Sequence, residues 1–405
     1  MTREEVYSEC LTKLEKSNFL LLELATGMGK SKQAIDIINY LVETKYQGKH
    51  TSMLLLVAKT VHKQTWKDEF KKWGGINVDE LTIECYESLK KHEYESFDFV
   101  VMDECHHLHS DKRLDLFSTL TYGNVIGLSA TIPKKLKQYF QYEYAAEVVT
   151  CSIVDAIEDG VLPEPQIILY PLQLDNIRPT ESIEVNPKAK GKTYYGTYNE
   201  LWKYRKMKVH AIISCTPRQR VNEYNSQILY EKNRYMRTRQ DFLKNKWWFD
   251  CGERIKYLAN LKNNIVLSIL QRLKKERTIT FCKTIEQADI LGKYSIHSKN
   301  KDSDIIYNNF NAKKINHIVS VNVLNEGANL VDCKYAVFAN YSSSEICSAQ
   351  RVGRTLRHKS PVIILPYYEA TREEEIVNTM IESFKEESIH TIHSLKELDK
   401  FIQKY

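Results

Sequence analysis

The sequence predicts an α/β fold in which parallel β-sheets are flanked by helices, and two features of its 405 residues support this. Apolar runs of strand length alternate with stretches of helical periodicity, first between residues 20 and 128 and again between residues 278 and 365. Several runs are apolar along their whole length, which is typical of parallel strands covered by helices on both faces. In such sheets ligands bind beyond the carboxyl ends of the strands. Functional residues are therefore expected in the segments that follow the predicted strands.

Elements of the first series are predicted from apolar periodicity and from the signals at their ends. Thr2 and Glu5 have the spacing of a helix-capping box. In chain order the predicted elements are a helix over Thr2–Lys16, a strand over Leu20–Leu24, a helix over Lys30–Thr44, a strand over Met53–Val57, a helix over Val61–Trp73, strands over Leu81–Cys85, Phe97–Met102 and Asn124–Leu128, and a short helix over Ser152–Gly160.

The rest of the chain predicts a linker, an insert and a second series. Gly160–Pro165 contains two prolines and is predicted to be the linker. The later predictions are a strand over Gln166–Leu174, a polar loop over Asn176–Lys192, a mostly helical stretch over Tyr194–Lys275, strands over Thr278–Cys282, His317–Val321, Tyr335–Ala339 and Pro361–Leu365, and helices over Thr371–Glu387 and Ser394–Gln403.

Composition indicates a globular protein of two or three domains. The hydrophobic fraction of 42% is enough for packed cores, and no apolar run approaches the roughly 18 residues of a membrane span. The polar N-terminus has no signal-peptide h-region behind it. The nine cysteines form no CxxC pair, and several lie in apolar runs. We therefore predict reduced thiols and a cytoplasmic location, in a bacterium or a phage-infected host.

Charge is distributed unevenly along the chain. Residues 1–165 contain 19 Lys and Arg against 26 Asp and Glu, whereas residues 186–277 contain 22 against 7, a net charge of +15. The basic residues of this second segment are interleaved with tyrosine and tryptophan. Lysine and arginine bind phosphates and aromatic rings can stack on unpaired bases, so the segment predicts a nucleic-acid surface. The alternative is a helical bundle with an aromatic core and a basic, solvated face.

The stretch from Leu20 to Lys32 predicts a phosphate-binding loop between a strand and a helix. Gly27 and Gly29 can take backbone angles that let successive N–H groups converge on one anion. The helix that begins near Lys30 adds its positive end, while the Lys30 ammonium can reach β- and γ-phosphates and Ser31 can bind Mg²⁺. An ordinary strand–turn–helix remains the alternative, because Leu24 stands where the eight-residue pattern has its first glycine.

Three further groups of residues fit the chemistry of phosphoryl transfer. Asp103 can hold Mg²⁺ and Glu104 can orient or deprotonate the attacking water, unless the pair is simply an exposed acidic strand end. Arg354 and Arg357 would share a helix face and could offset charge on the γ-phosphoryl group; the alternative is a solvated basic turn. Further hydroxyl groups, those of Ser129 and Thr131, could link nucleotide state to a second ligand.

Taken in order, these segments resemble the motifs of superfamily 2 helicases and translocases of the DExD/H-box type. The matching segments are Ala25–Ser31 for motif I, Ala58–Thr60 for motif Ia, Cys85–Leu89 for motif Ib, Asp103–His106 for motif II, Ser129–Thr131 for motif III, Phe281–Thr284 for motif IV, Asn325–Asn329 for motif V and Gln350–Arg357 for motif VI. The resemblance extends over residues 20–365 and implies two RecA-like lobes that bind ATP and Mg²⁺ between them.

The resemblance also assigns roles to individual residues. It implies catalytic roles for Lys30, Asp103, Glu104, Gln350, Arg354 and Arg357, nucleotide contacts for Thr26, Gly27, Met28, Gly29, Lys30, Ser31, Gly327 and Asn329, metal contacts for Ser31 and Asp103, coupling through His106, Ser129 and Thr131, and nucleic-acid contacts for Lys59, Thr60 and Tyr86. In the basic segment we predict backbone contacts from Lys203, Arg205, Lys206, Lys208, Arg234, Arg237 and Arg239.

The resemblance predicts the domains as well. Residues 1–162 are expected to form lobe 1, residues 163–185 a linker with the first strand of lobe 2, residues 186–277 a basic, aromatic-rich helical insert, and residues 278–405 lobe 2 with C-terminal helices.

Motif details favour one branch of this superfamily. The DECH sequence and the QRxGRxxR pattern resemble type III restriction translocases, XPB-like helicases and phage recombination helicases, which implies double-stranded or branched DNA more than RNA. An RNA helicase is the alternative. The sequence departs from the family pattern at two places. No glutamine suits a Q-motif before Leu20, which bears on adenine recognition, and Asn329 stands where motif V usually has aspartate, which bears on coupling between nucleic acid and ATP.

We therefore predict a nucleic-acid-dependent ATPase that translocates or unwinds, with a possible accessory protein supplying substrate specificity. A scaffold that has lost turnover is the second hypothesis, and an ATPase assay with and without duplex DNA separates the two. A nuclease in the same chain is rejected, because ExK triplets occur only at Glu43–Lys45 and Glu69–Lys71, inside predicted helices.

Overall fold

A computed structural model of the chain describes residues 1–321, 330–341 and 358–405. Over these residues the chain forms two fully parallel sheets flanked by helices, and a small mixed sheet and a helical hairpin are inserted between the first two strands, in sequence, of the second large sheet. The predicted fold class, two RecA-like lobes, is confirmed.

The first lobe is built around strand β1, which lies between β5 and β6 in the sheet order β3-β2-β4-β5-β1-β6. Its elements are α1 (Arg3–Leu14), β1 (Phe19–Leu24), α2 (Lys30–Thr44), β2 (Ser52–Val57), α3 (Thr60–Lys72), β3 (Glu80–Cys85), β4 (Ser96–Asp103), α4 (Asp111–Ser118), β5 (Thr121–Ser129), α5 (Lys134–Tyr144), β6 (Glu147–Cys151) and α6 (Ile153–Glu158). Leu22 pairs with Leu128 on one side and with Val149 on the other. Because all these strands are parallel, their carboxyl ends meet at one edge.

The capping box predicted at the start of α1 is confirmed. The Thr2 hydroxyl accepts a hydrogen bond from the Glu5 N–H at 3.2 Å, and the Thr2 N–H donates to Glu5 Oε2 at 2.8 Å. This fixes the first turn of a helix whose residues Val6 and Cys10 are buried in the core of the lobe.

The second lobe has the sheet order β12-β13-β11-β14-β15-β7-β16 over the described residues. Its elements are β7 (Gln166–Leu172), β11 (Thr278–Cys282), α11 (Ile285–Leu291), β12 (Ser295–Ile296), α12 (Ser303–Asn311), β13 (His317–Val321), β14 (Tyr335–Phe338), β15 (Val362–Tyr368), α13 (Arg372–Ile381), β16 (Ile389–Thr391) and α14 (Leu395–Lys404). Strand β7 pairs with β15 over its whole length, so the strand that follows the linker belongs to this sheet.

The segment between β7 and β11 differs in part from its prediction. It forms β8 (Glu181–Val185), β9 (Tyr194–Thr197), α7 (Leu201–Met207), β10 (Ala211–Cys215), α8 (Pro217–Thr238), α9 (Asp241–Leu261) and α10 (Asn263–Arg272). The loop predicted over Asn176–Lys192 is wrong, because β8 pairs antiparallel with β10 and buries Ile183 and Val185. The helical prediction is confirmed for α7 and from Pro217 onward, but it is wrong for β9 and β10, the strands that lie on either side of α7.

A buried ion pair connects the end of α9 to α13 in the second lobe. Lys262 lies between α9 and α10 with its side chain fully buried, and its Nζ donates to Glu373 Oε1 at 2.6 Å. The same ammonium lies 3.5 Å from the Pro366 carbonyl oxygen and 4.7 Å from the centre of the Tyr341 ring. Burial lowers the pKa of Lys262, and the charge of Glu373 opposes that shift.

The predicted state of the cysteines is consistent with the structure. The eight cysteines within the described ranges are free thiols, and six of them are buried. In the same ranges, no helix combines the length and the apolar character needed to cross a membrane.

Candidate functional site

The segment between β1 and α2 has the backbone of a phosphate-binding loop. Gly27 and Gly29 have φ values of 103° and 83°, in the left-handed region that other residues rarely adopt. A Cβ at position 27 would also lie 2.9 Å from the Leu162 side chain, which packs over the loop from the interlobe linker. Gly29 directly precedes α2, so the positive end of that helix faces the loop.

Helix α1 supports the loop through contacts that sequence reasoning missed. The Arg3 guanidinium donates to the Gly27 carbonyl oxygen at 3.0 Å. Gln33 on α2 donates from its amide to the Arg3 carbonyl oxygen at 2.8 Å. Lys30 Nζ donates to the Leu24 carbonyl oxygen at 3.1 Å, which holds the ammonium close to the loop. The two Arg3 contacts join residues 24 and 30 positions apart in sequence, and no local sequence pattern predicts them.

The acidic pair lies at the carboxyl end of β4, in the same pocket as the loop. Glu104 takes a left-handed conformation with φ of 52°, an uncommon one for a non-glycine residue and frequent at functional sites. Trp66 on α3 donates its indole N–H to Asp103 Oδ2 at 2.9 Å, and the Tyr86 hydroxyl donates to the Asp103 carbonyl oxygen at 2.9 Å. The pair is therefore held from two sides.

The electrostatics of the pair suit a divalent cation. Burial, and next the negative charge of Glu104, raise the pKa of Asp103 to about 6, while the Lys30 ammonium opposes the shift. A cation beside two carboxylates would relieve their repulsion, and oxygen ligands are those that Mg²⁺ prefers. Among the described residues no group of three or more His, Cys, Asp and Glu side chains could hold a metal ion by itself. Mg²⁺ bound by phosphates, waters and one or two protein oxygens needs no such group.

The residues predicted to couple nucleotide and nucleic acid form one hydrogen-bonded cluster. His106 Nδ1 lies 3.0 Å from Ser129 Oγ and 3.4 Å from Glu104 Oε2. Ser129 Oγ lies 3.4 Å from the same carboxylate oxygen and 2.8 Å from the Thr131 carbonyl oxygen. Because a hydroxyl has a single proton, Ser129 can donate to only one of these two acceptors at a time. The cluster thus offers more than one hydrogen-bonding arrangement that joins the ends of β4 and β5.

The carboxylate of Glu23 on β1 also binds the segment that follows β5. Its Oε1 accepts from the Ile132 N–H at 2.8 Å, and its other oxygen pairs with Lys137 on α5. Sequence reasoning did not include Glu23. A signal was present, because a lone acid inside the apolar strand Phe19–Leu24 is costly to bury without partners.

The cleft that contains the phosphate-binding loop and the acidic pair is bordered by both lobes. It has a volume of about 1050 Å³ and is lined by the phosphate-binding loop, by Asp103 and Glu104, by the linker residue Leu162, and by His358 and Lys359 from the second lobe. The predicted residues Gly327, Asn329, Gln350, Arg354 and Arg357 lie outside the described residues. His358 is the residue that directly follows Arg357 in the sequence.

The predicted nucleic-acid contacts of the first lobe divide into two groups. Lys59 and Thr60 line an open pocket of about 590 Å³ together with Lys63 and Lys91, so three lysine side chains share this surface. Tyr86 is instead 1% exposed, with its hydroxyl bound to the Asp103 backbone. The prediction that Tyr86 contacts nucleic acid is therefore corrected, since its ring is packed inside the lobe and supports the acidic pair.

The basic residues predicted as phosphate contacts differ in whether a carboxylate lies beside them. Lys206, Lys208, Arg237 and Arg239 are exposed. Lys203 and Arg234 are exposed and lie near carboxylates three residues away in sequence, Glu200 and Glu231. Arg205 pairs with Glu223, whose side chain is buried, so Arg205 joins α7 to α8 and is less available than the others.

Two family models match the chain. Residues 2–134 match the model described as type III restriction enzyme, res subunit, and residues 261–359 match the model described as helicase conserved C-terminal domain. The chain belongs to helicase superfamily 2. The first of these matches places it near the type III restriction branch of that superfamily.

Individual relatives of this superfamily 2 protein are distant. A protein of African swine fever virus named as an ATP-dependent RNA helicase, QP509L, is 29% identical over 131 residues, which are 27% of this chain and 24% of that protein. The chain thus matches about a quarter of that relative's length. A point variant of S. cerevisiae Dbp5 bound to RNA and ADP BeF3 has a TM-score of 0.60 at 12% identity, covering 99% of this chain and 93% of the other.

A second solved structure shares the fold. The ATP-dependent Type ISP restriction-modification enzyme LlaBIII bound to DNA has a TM-score of 0.55 at 14% identity, covering all of this chain and 32% of that one. At such identities the likeness shows the fold.

Proposed function

We propose that this superfamily 2 protein is a nucleic-acid-dependent ATP hydrolase that moves along or unwinds DNA. One observation carries the proposal. Lys30 and the Asp103–Glu104 pair face the same cleft as His358, which directly follows the predicted arginine segment of the second lobe. A nucleotide in this cleft would contact groups from both lobes, so its hydrolysis can change how the lobes sit against each other.

Each residue has a chemical task in this proposal. The N–H groups between Gly27 and Ser31 and the Lys30 ammonium bind the β- and γ-phosphates. Ser31 and Asp103 would hold Mg²⁺, which supplies neutralisation of phosphate charge when bound. Glu104 orients and deprotonates the attacking water, and Arg354 and Arg357 stabilise the charge that develops on the γ-phosphoryl group.

The hydrogen-bonded cluster of Glu104, His106 and Ser129 gives this proposal a route for coupling. The carboxylate that acts on the water is joined to the ends of β4 and β5 by the Ser129 hydroxyl and the His106 ring. A change of acceptor by Ser129 would alter the partner of Glu104, so nucleotide state and the position of the segment after β5 are linked.

Duplex or branched DNA is the substrate we favour. The match to the restriction-enzyme model supports DNA, and the structural relative LlaBIII is bound to DNA. RNA is the second candidate, supported by the name of the viral relative and by the RNA-bound Dbp5 structure.

ATP hydrolysis measured with single-stranded DNA, duplex DNA, forked DNA and RNA tests the proposal. We expect duplex or forked DNA to stimulate phosphate release most. Greater stimulation by RNA would transfer the assignment to RNA. Hydrolysis that no nucleic acid stimulates would contradict a motor, and complete absence of hydrolysis would leave a binding scaffold.

Trp66 offers a test of how the acidic pair is held. Trp66→Phe keeps a buried ring against Phe70 but removes the N–H that donates to Asp103 Oδ2. Loss of a partner that orients a metal-binding carboxylate typically costs about 10–100-fold in metal affinity or activity. We therefore expect the Mg²⁺ concentration for half-maximal hydrolysis to rise by about that factor.

The matched control for this variant is Trp73→Phe. Trp73 follows the same helix and donates its indole N–H to Glu69 at 2.7 Å, outside the acidic pair. An equal rise in Mg²⁺ requirement in both variants would mean that Trp66 does not act through Asp103.

A further inference from the structure

The hairpin formed by α8 and α9 is anchored at its base and extends away from it. The Arg218 guanidinium binds the carbonyl oxygens of Ala370 and Glu369, and Val221 packs against Leu258. Buried residues of α8 are confined to its first seven positions, and the next fifteen residues are partly or fully exposed. With 22 residues, α8 is about 33 Å long.

Inside the hairpin, aromatic rings pair between the two helices. Tyr224 lies 5.7 Å from Tyr257 near the base, and Tyr235 lies 6.1 Å from Trp247 near the turn, measured between ring centres. These four rings hold the helices together. For them the structural alternative, aromatic packing within a helical bundle, is correct.

A different set of apolar side chains points outward near the turn, within residues 229–249, here called the distal hairpin. Six large apolar side chains of this segment are between 49% and 61% exposed: Leu229, Tyr230, Met236, Phe242, Trp248 and Phe249. None of the six belongs to a hydrophobic core formed by the described residues. Six large apolar side chains exposed within one short segment are consistent with a binding surface.

Cations accompany the exposed rings. Lys244 Nζ lies 4.6 Å from the centre of the Trp248 ring, Lys246 Nζ lies 5.2 Å from that of Phe249, and Arg234 Cζ lies 5.4 Å from that of Tyr230. The distal hairpin contains six Lys and Arg against two Asp and Glu. Flat apolar faces and positive charges therefore alternate over this surface.

This alternation decides between classes of partner. The buried centre of a protein–protein interface is depleted in lysine and in charge generally, whereas here charges lie beside the rings. Duplex nucleic acid would use the cations but leave the rings without a role. A single strand offers phosphates for the cations and unpaired bases for the rings.

We propose that the distal hairpin is a stacking platform for single-stranded nucleic acid, contributed by the insert outside the two lobes. The proposal deepens the proposed function and rests on it for the choice of nucleic acid. Trp248 and Phe249 stack on unpaired bases, and Arg237 and Lys244 bind the adjoining phosphates. In a motor acting on branched DNA, such a platform would hold a strand after it has been separated.

Binding of a fluorescein-labelled oligo(dT) and of a duplex of equal length, measured by anisotropy without nucleotide, tests the platform. We expect Trp248→Ala and Phe249→Ala each to weaken single-strand binding about 5- to 150-fold and to change duplex binding by less than about two-fold. The double variant Arg237→Gln/Lys244→Gln should reduce the magnitude of the slope of log K against log salt for oligo(dT) by about 1.4, whereas Trp248→Ala leaves that slope unchanged.

Tyr142→Ala is the matched control, because this ring is 87% exposed on the first lobe and should not affect either affinity. Circular dichroism checks that the hairpin variants remain helical. Single-strand affinities within about two-fold of wild type in both ring variants would overturn the proposal. Equal losses for single strand and duplex would also overturn it, as would binding to phosphatidylserine vesicles that is lost in Trp248→Ala while oligo(dT) binding is kept.

These assays need no ATP hydrolysis, so the two proposals can fail separately. If the wild-type protein hydrolyses no ATP and the Trp248→Ala variant loses single-strand binding, the proposed motor function is contradicted and the proposed stacking platform is supported.

Discussion

Lys30→Ala is expected to lower ATP hydrolysis by about 10²–10³-fold or more, because it removes the ammonium that faces the phosphate-binding loop. The side chain is held at the loop by the Leu24 carbonyl oxygen, and its charge acts on Asp103. Phosphate release at saturating ATP and duplex DNA is the measurement. Lys45→Ala is the matched control, since Lys45 caps the other end of the same helix, bonds to Asn124 and is not among the residues that line the cleft.

Glu104→Gln is the companion change and keeps the shape of the side chain. A positioned general base contributes typically about 10²–10⁴-fold to a rate, so we expect a loss in this range with ATP binding retained. The exposed Glu143→Gln provides a charge-matched control on the same lobe. Nucleic-acid binding should survive in both Lys30→Ala and Glu104→Gln. Unchanged turnover in the two variants would remove the basis for assigning hydrolysis to this cleft.

Glu373→Gln is expected to destabilise the protein by about 3–5 kcal/mol, because it leaves the Lys262 ammonium buried without its counter-charge. Lys262 has no exposed side-chain surface, and its ammonium also lies 3.5 Å from the Pro366 carbonyl oxygen. Thermal unfolding should show a transition lowered by roughly 10 °C for the second lobe.

Two variants separate loss of the ion pair from loss of a surface charge. Glu253 and Lys256, both on α9, form an ion pair at 2.7 Å whose side chains are partly exposed. Glu253→Gln removes this pair and should lower the free energy of unfolding by no more than about 1 kcal/mol. The double variant Lys262→Met/Glu373→Leu should recover most of the stability lost in Glu373→Gln, because no charge remains buried. A double variant as unstable as Glu373→Gln would show that packing at this point, and not burial of an unpaired charge, is responsible.

The features that were predictable from sequence are those that local chemistry controls. Left-handed glycines at positions 27 and 29, the capping box at Thr2 and the apolar parallel strands follow from backbone sterics and from hydrophobic period. The motif order placed Lys30 and the acidic pair at strand ends, and parallel pairing brings those ends to one edge.

The features that sequence reasoning missed depend on partners distant in the chain. Strand β8 is polar enough to suggest a loop, and only its pairing with β10 buries Ile183 and Val185. Tyr86 had an aromatic ring in a suitable motif, but packing turned that ring into the lobe. Trp66 reaches Asp103 across 37 positions, and no local spacing indicates that contact.

The order of the chemical groups along the chain, and hence the superfamily, could be determined from the sequence by itself, because each motif is a local set of residue types and backbone angles. The tertiary structure alone decided which aromatic and basic residues are available to a partner. Exposure depends on how elements pack, and packing sums contacts between residues far apart in sequence. For that reason one tyrosine of the predicted nucleic-acid surface became a buried support, while Phe242 and Phe249 emerged on an exposed one.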